Sequence, residues 1–394
     1  MTSPSAYLPS ERRAVAALVA IYSVRMLGLF MVLPLLGLYA RDLMGATTAT
    51  VGLALGAYGL TQAALQIPLG WLSDRIGRRP IIVAGLLSLA LGSVIAATAD
   101  SITGVIIGRA VQGCGAIAAA LSALAADCTR ESQRTKTMAF IGASVGLSFM
   151  AALVLGPLLA ARGGLESVFM AIAGLSGIAL LLVMVGLPAG RVRVDDPEGG
   201  RLQVGHVLGG PLPILYVSIG LVHAMLMATF LVVPGRLVES ASLAVDSHWW
   251  LYLVAVVLSL PPALGLMRWG RSGQDPRRPL MLAVISFVLG QWLALEGVGI
   301  WPLAAGLVLF FIGVNALEAL LPAVVSLFAP GEQRGTAMGV FATAQFGGIF
   351  LGGALGGLAL DAGGPGLLVA SCLGIALFWL AALNRLRVSP STPS

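Results

Sequence analysis

Apolar runs of about 20 residues follow one another from residue 14 to residue 384, each long enough to cross a bilayer as a helix. With 58% of the chain hydrophobic and a mean hydropathy of +0.96, one soluble core could not bury them. The chain therefore reads as an all-α polytopic membrane protein. Splitting the runs at charges and turn-forming residues gives twelve expected transmembrane helices. The first six are 14–39, 49–72, 81–99, 103–126, 137–161 and 166–188, and the second six are 213–235, 249–268, 280–297, 301–326, 336–360 and 365–384. The polar N-terminus MTSPSAYLPSERR leads into a span with no small-residue cleavage pattern after it, so that span is expected to be retained.

An even number of spans puts both termini on one side, and charge says which. Eighteen of the 23 Lys and Arg side chains fall on the face holding the termini, three (Arg41, Arg162, Arg236) on the other, and two (Arg25, Arg109) inside spans. Positive residues resist translocation, so the first face is expected to be cytoplasmic. Topology thus accounts for the net charge of +6, and a nucleic-acid partner is not expected. Trp249, Trp250, Trp269 and Trp301 fall at span ends, as an interfacial belt would. Cys114, Cys128 and Cys372 form no CxxC pair, and neither a disulfide framework nor a metal site is expected.

The chain also repeats itself at about half its length. RTKTM (134–138) aligns with RGTAM (334–338), Gly156 with Gly356, Gly113 with Gly313 and, shifted by one, RRP (78–80) with RRP (277–279). A unit of six spans keeps its orientation on duplication, which implies two parallel, pseudo-symmetric six-helix bundles. Their expected extents are 1–188 and 213–394, joined by a polar cytoplasmic linker at 189–212. Two such bundles with a site between them would suit alternating access.

Between the second and third spans the sequence reads GWLSDRIGRRP (70–80), four charges within six residues of a chain only 10% charged. Gly70-x-Leu72-Ser73-Asp74-Arg75-x-Gly77-Arg78-Arg79 resembles the signature loop of the major facilitator superfamily. The RxxQGxGA pattern (Arg109, Gln112, Gly113, Gly115, Ala116) resembles a motif of its proton-coupled members. RMLGLFMVLP (25–34), CTRESQ (128–133) and NALEALLP (315–322) resemble the YajR-like bacterial drug–proton antiporters. The fifth span keeps Gly142, Gly146, Gly156 and Pro157 of an antiporter glycine pattern, with Ala143, Ala152 and Ala160 where glycines would be expected. Some relatives carry a soluble C-terminal domain, which the ending RVSPSTPS does not supply. The resemblance implies a transporter fold and residence in a bacterial cytoplasmic (inner) membrane. It also implies a latch in which Asp74 faces the start of the eleventh span near Thr336 and Arg78 pairs with Asp127. Gly70 and Gly77 would shape that loop.

Ionisable side chains inside spans are costly and usually mark function. Four qualify: Arg25, Arg109, His223 and Glu318. A proton carrier must change protonation, which arginine does not do. Burial favours a neutral carboxyl and water or a cation an ionised one, so Glu318 ranks first and His223 second. Arg25 and Arg109 would tune charge or bind an anionic group. Tyr58, Gln62 and Gln66 recur at spacings of four and share a helix face. With Gln112, Asn315, Met225 and Phe230 they are candidates for a mixed polar and apolar substrate cavity. Plain helix packing explains any one of them equally well.

GASVG (142–146) matches a nucleophile pattern that needs a strand-to-helix elbow, and here it lies in a span. No zinc-protease or P-loop motif occurs, so neither an enzyme nor ATP-driven transport is expected, and no cofactor. The expected partners are a small-molecule substrate, protons and the lipid bilayer, with a monomer as the default. The reading is a secondary active transporter, proton-coupled and exporting small amphipathic molecules; the alternative is an uncoupled facilitator of a sugar or other metabolite.

Overall fold

The computed structural model describes residues 7–186, 207–271, 275–329 and 333–386; residues 189–206 of the expected linker lie outside them. The described residues are helical almost throughout. The helices are α1 Pro9–Met31, α2 Leu33–Tyr39, α3 Thr48–Ile76, α4 Arg78–Ala97, α5 Ile102–Gly113, α6 Ala118–Asp127 and α7 Glu131–Gly186. They continue with α8 Leu212–Glu239, α9 His248–Arg271, α10 Arg277–Glu296, α11 Ile300–Phe328 and α12 Arg334–Asn384. These labels count helices, not membrane crossings. Nine segments among the described residues are long and apolar enough to cross a membrane. The 29-residue α3 is not one of them, because threonines, glycines and two glutamines dilute its hydropathy.

Two helices are far longer than a bilayer is thick. α7 has 56 residues and α12 has 51, and each contains one non-helical Gly-Gly step. In α7 the step has Gly163 at φ −152°, ψ 29° and Gly164 at φ 59°, ψ −155°. In α12 it has Gly363 at φ −154°, ψ 17° and Gly364 at φ 65°, ψ −165°. The second residue of each step sits where a side chain is strained, so the sequence places glycine there. The fourth expected span departs in the other direction: Cys114–Ile117 interrupts it, separating α5 from α6. At this interruption a methyl group on Gly115 would approach the Gly85 carbonyl to 2.5 Å, so α4 presses on the backbone there.

The chain divides into two compact units, Met1–Gly199 and Gly200–Ser394. In the first, α1 packs along α7, α4 against α5 and α7, and α3 against α5. Its core includes Leu18, Ile21, Ile82, Leu86, Ile117, Leu121 and Val183, all buried. In the second unit α8 packs along α12, α10 against α11, and α9 against α11. Phe287 stacks on Phe310 at 4.8 Å, and the Trp379 indole donates to Ser218 at 2.9 Å.

Matching contacts show how the halves correspond. Ser88 donates to the Val111 carbonyl at 2.6 Å, and Ser286 to the Leu309 carbonyl at 2.8 Å. Gly92 crosses Gly108 as Gly290 crosses Gly306, with backbone against backbone in both pairs. Gly115 faces the Gly85 carbonyl as Gly313 faces that of Ala283. Gly313 therefore corresponds to Gly115, not to Gly113 as the sequence alignment had it. One register does not hold along the whole chain.

Candidate functional site

The loop between α3 and α4 is a single residue, Gly77, at φ 98°, a conformation that glycine adopts without strain. This turn brings Arg78 beside two carboxylates. Its guanidinium pairs with Asp74 one helical turn back and, at 3.5 Å, with Asp127 at the end of α6, and it donates to Ser73 at 2.8 Å. Arg75 lies over the Trp71 ring at 3.9 Å, and Arg79 donates to the Met184 carbonyl at 2.9 Å. Gly70 sits opposite Ala119, with room for ordinary contact.

A second charged contact at this end was not foreseen. Glu11, buried at the start of α1, accepts from the backbone and side chain of Arg130 at 2.9–3.0 Å and from the Leu8 N–H at 2.8 Å. The Glu11 carboxylate raises the Arg130 guanidinium above its ordinary value, chiefly through this hydrogen bonding. No local sequence signal links residues 119 positions apart, and such a pair reads in a sequence as two topology charges.

Deeper in the first unit, Arg25 and Arg109 are 2% and 1% exposed and converge on Tyr58. Arg25 donates to the Tyr58 hydroxyl at 3.3 Å, while the Arg109 guanidinium lies 4.9 Å from the centre of its ring. Arg109 also donates to Gln112 at 2.8 Å and to the Ala54 carbonyl at 3.4 Å, and Gln112 donates on to Ser93 at 2.8 Å. Gln62, with its amide turned to satisfy both ends, accepts from Arg25 and donates to the Gly113 carbonyl at 2.8 Å. Gly113 makes this possible: a methyl group there would overlap the Tyr58 carbonyl and the Thr61 hydroxyl, and α3 could not approach α5. Gln66 is buried one turn further along the same face. The structure thus joins Arg25, Tyr58, Gln62, Arg109 and Gln112 in one network.

In the second unit His223 (α8) and Glu318 (α11) meet, Nε2 to Oε1, at 3.2 Å. His223 Nδ1 lies 3.2 Å from the Ile219 carbonyl, which can only accept, so Nδ1 carries a hydrogen. Nε2 then faces the Glu318 carboxyl within hydrogen-bonding distance. Gln345 of α12 competes for the same nitrogen, its Nε2 at 2.9 Å. Sequence reasoning missed Gln345, because an uncharged amide stands out neither by cost nor by spacing. Glu318 is two-fifths exposed and His223 is buried, so the pair joins a protected nitrogen to an accessible carboxyl. Asn315, one turn before Glu318, donates instead to Ser259 at 3.0 Å. Met225 and Phe230 are buried in the packing of α8, where the Met225 carbonyl accepts from Gln291 and Phe230 packs against Tyr252. The nucleophile-like Ser144 lies within helical α7 and donates to the Ile141 carbonyl at 2.7 Å, so no elbow presents it.

Comparison with known proteins agrees with this architecture. The chain is 41% identical to the inner membrane transport protein YajR of Escherichia coli K12, over 98% of its own length and 86% of that protein's. It is 28% identical to the multidrug resistance protein MdtH of Aeromonas hydrophila, covering 86% of this chain and 84% of that protein. Among solved structures, the nucleoside transporter NupG (D323A mutant) superposes with a TM-score of 0.78 at 14% identity, covering 95% of this chain and 100% of that one. The profile of the Major Facilitator Superfamily matches residues 18–239, more than half the chain, and with a relative this similar over nearly its whole length the protein belongs to that superfamily.

Proposed function

We propose that this transporter is a proton-coupled exporter of small amphipathic molecules, working by alternating access in a bacterial inner membrane. The observation that carries the reading is the His223–Glu318 pair, a 3.2 Å contact between a buried imidazole and a partly exposed carboxyl, both side chains of a type that can take up and release a proton. A buried network without a titratable member could bind solute but could not exchange a proton for it. Tyr58, Gln62, Gln66 and Gln112 supply polar surface for cargo in the first unit; in the second Asn315 is the polar member, with Met225 and Phe230 as its apolar neighbours. Asp74, Arg78 and Asp127, turned by Gly77 and flanked by Gly70, act as the latch of the closed cytoplasmic side.

The topology proposed with it has twelve crossings in two six-helix bundles and both termini in the cytoplasm. An unbroken helix of 56 residues would run about 84 Å, against a hydrocarbon core of about 30 Å, so α7 is long enough for two crossings. Dividing α7 and α12 at their Gly-Gly steps and counting α3 gives the remaining crossings.

The test uses purified protein in liposomes with an internal pH dye and an imposed proton gradient. Wild type should move protons when an amphipathic solute is added, and Glu318→Gln should not. Solute flux with no proton movement in wild type would sink the antiport reading in favour of the uncoupled facilitator.

A further inference from the structure

The charge in the first unit is unbalanced at depth. Arg25 and Arg109 are permanently charged, and every hydrogen-bond acceptor they have among the described residues is neutral: Tyr58, Gln62, Gln112 and the Ala54 carbonyl. Arg25 Nη1 is buried with no acceptor at all. Every acidic residue of the described part of this unit (Glu11, Asp42, Asp74, Asp100, Asp127, Glu131 and Glu166) lies at a helix end or a chain turn. Arg25 is 14 residues from Glu11 along α1, about 21 Å at the helical rise. The second unit differs, since its buried imidazole has Glu318 beside it.

Two desolvated guanidiniums aimed at one phenol, with an unanswered donor, form a half-complete ion pair. We infer that Arg25 and Arg109 form an anion-binding site, and that the cargo carries a carboxylate, sulfonate or phosphate group attached to an apolar body. The inference rests on the transport reading above and names the substrate class for it. Arg25 Nη1 offers the free donor, and Arg109 supplies a second charge across the Tyr58 ring. The Gln62 and Gln112 amides hold the two guanidiniums in place. Arginine suits this role because its planar fork binds an oxyanion through two parallel hydrogen bonds. Arg25, Tyr58, Gln62 and Arg109 are all buried in this conformation, so the anion enters as the protein changes state.

The experiment measures binding to purified wild-type protein in a neutral detergent, with no gradient. Three probes share one apolar body and differ in charge: naphthalene-2-sulfonate, 2-naphthylmethanol and 2-naphthylmethylammonium. The sulfonate should bind at least tenfold more tightly than either of the others. Arg25→Gln and Arg109→Gln should each remove that preference, and Arg25→Lys should retain part of it. Equal binding of the three probes by wild type would overturn the proposal without any variant being needed. So would a sulfonate preference that survives both Gln substitutions, since it would then belong to surface arginines. Repeating the titration in phosphatidylcholine nanodiscs, with and without phosphatidylglycerol, separates cargo from lipid. Loss of sulfonate binding only when the anionic lipid is present would overturn the assignment to cargo and give the site to a headgroup. Because no gradient is present, this measurement is blind to coupling, so failure here and failure of the Glu318 proton test are separate results.

Discussion

Arg130 ties the start of α7 to the start of α1 through a single carboxylate, and the tie should be measurable by itself. Glu11 accepts three hydrogen bonds from Arg130 and one from Leu8, so Glu11→Ala leaves several donors unanswered at once. The expected result is a measurable fall in the unfolding temperature, because charge-assisted hydrogen bonds are lost together. Arg130→Ala should cost a similar amount, and the double variant little more than either single one, because both remove the same contact. Additive losses in thermal unfolding would mean that the two side chains act separately. The residue scale is also where the sequence was most unevenly legible. Arg25, Arg109, His223 and Glu318 stood out because charge is rare in an apolar span. Gln345, which meets His223, and Ser93, which accepts from Gln112, did not, and neither did the Glu11–Arg130 pair, since each contact is made only when distant helices meet.

Helix α12 meets α8 through glycines four residues apart. Side chains at Gly348 and Gly352 would collide with the backbones of Gly220 and Ala224, and one at Gly356 would reach the Ala228 methyl at 3.2 Å. Small residues let helix backbones come this close inside a membrane. Gly352→Val should therefore destabilise the second unit by about 1–3 kcal/mol, the usual cost of overpacking. Gly347→Ala, whose Cβ meets nothing within 4 Å, should leave the unfolding temperature almost unchanged. Equal effects of the two would show that α8 and α12 separate freely. At this scale the sequence was read well: its six glycines between 347 and 357 announced a smooth face, and the apolar runs located the helices. It failed where helices end without a polar signal. The break at Cys114–Ile117 carries no charge or proline of its own, and α4 comes close to the backbone there, at Gly115.

For the molecule as a whole, the proposed cargo charge has an electrical consequence. Exporting one anion while admitting one proton moves two positive charges inward in effect. At about 2.3 kcal/mol per charge per 100 mV, an interior-negative potential of that size contributes roughly 4.6 kcal/mol to each cycle. Proteoliposomes loaded with naphthalene-2-sulfonate and made negative inside with valinomycin should expel it even without a pH gradient. A rate indifferent to potential would rule out charge-moving exchange. The two Gly-Gly steps, finally, bear on how such a chain is made. Each joins two helical arms through a pair of residues, and Arg162 and Glu166 flank the first step with charges that cancel. A connection so short leaves the second arm no slack to wait outside while the first inserts. The arms on either side of Gly164, and those on either side of Gly364, are therefore expected to leave the translocon as paired hairpins, so that biogenesis proceeds there by twos.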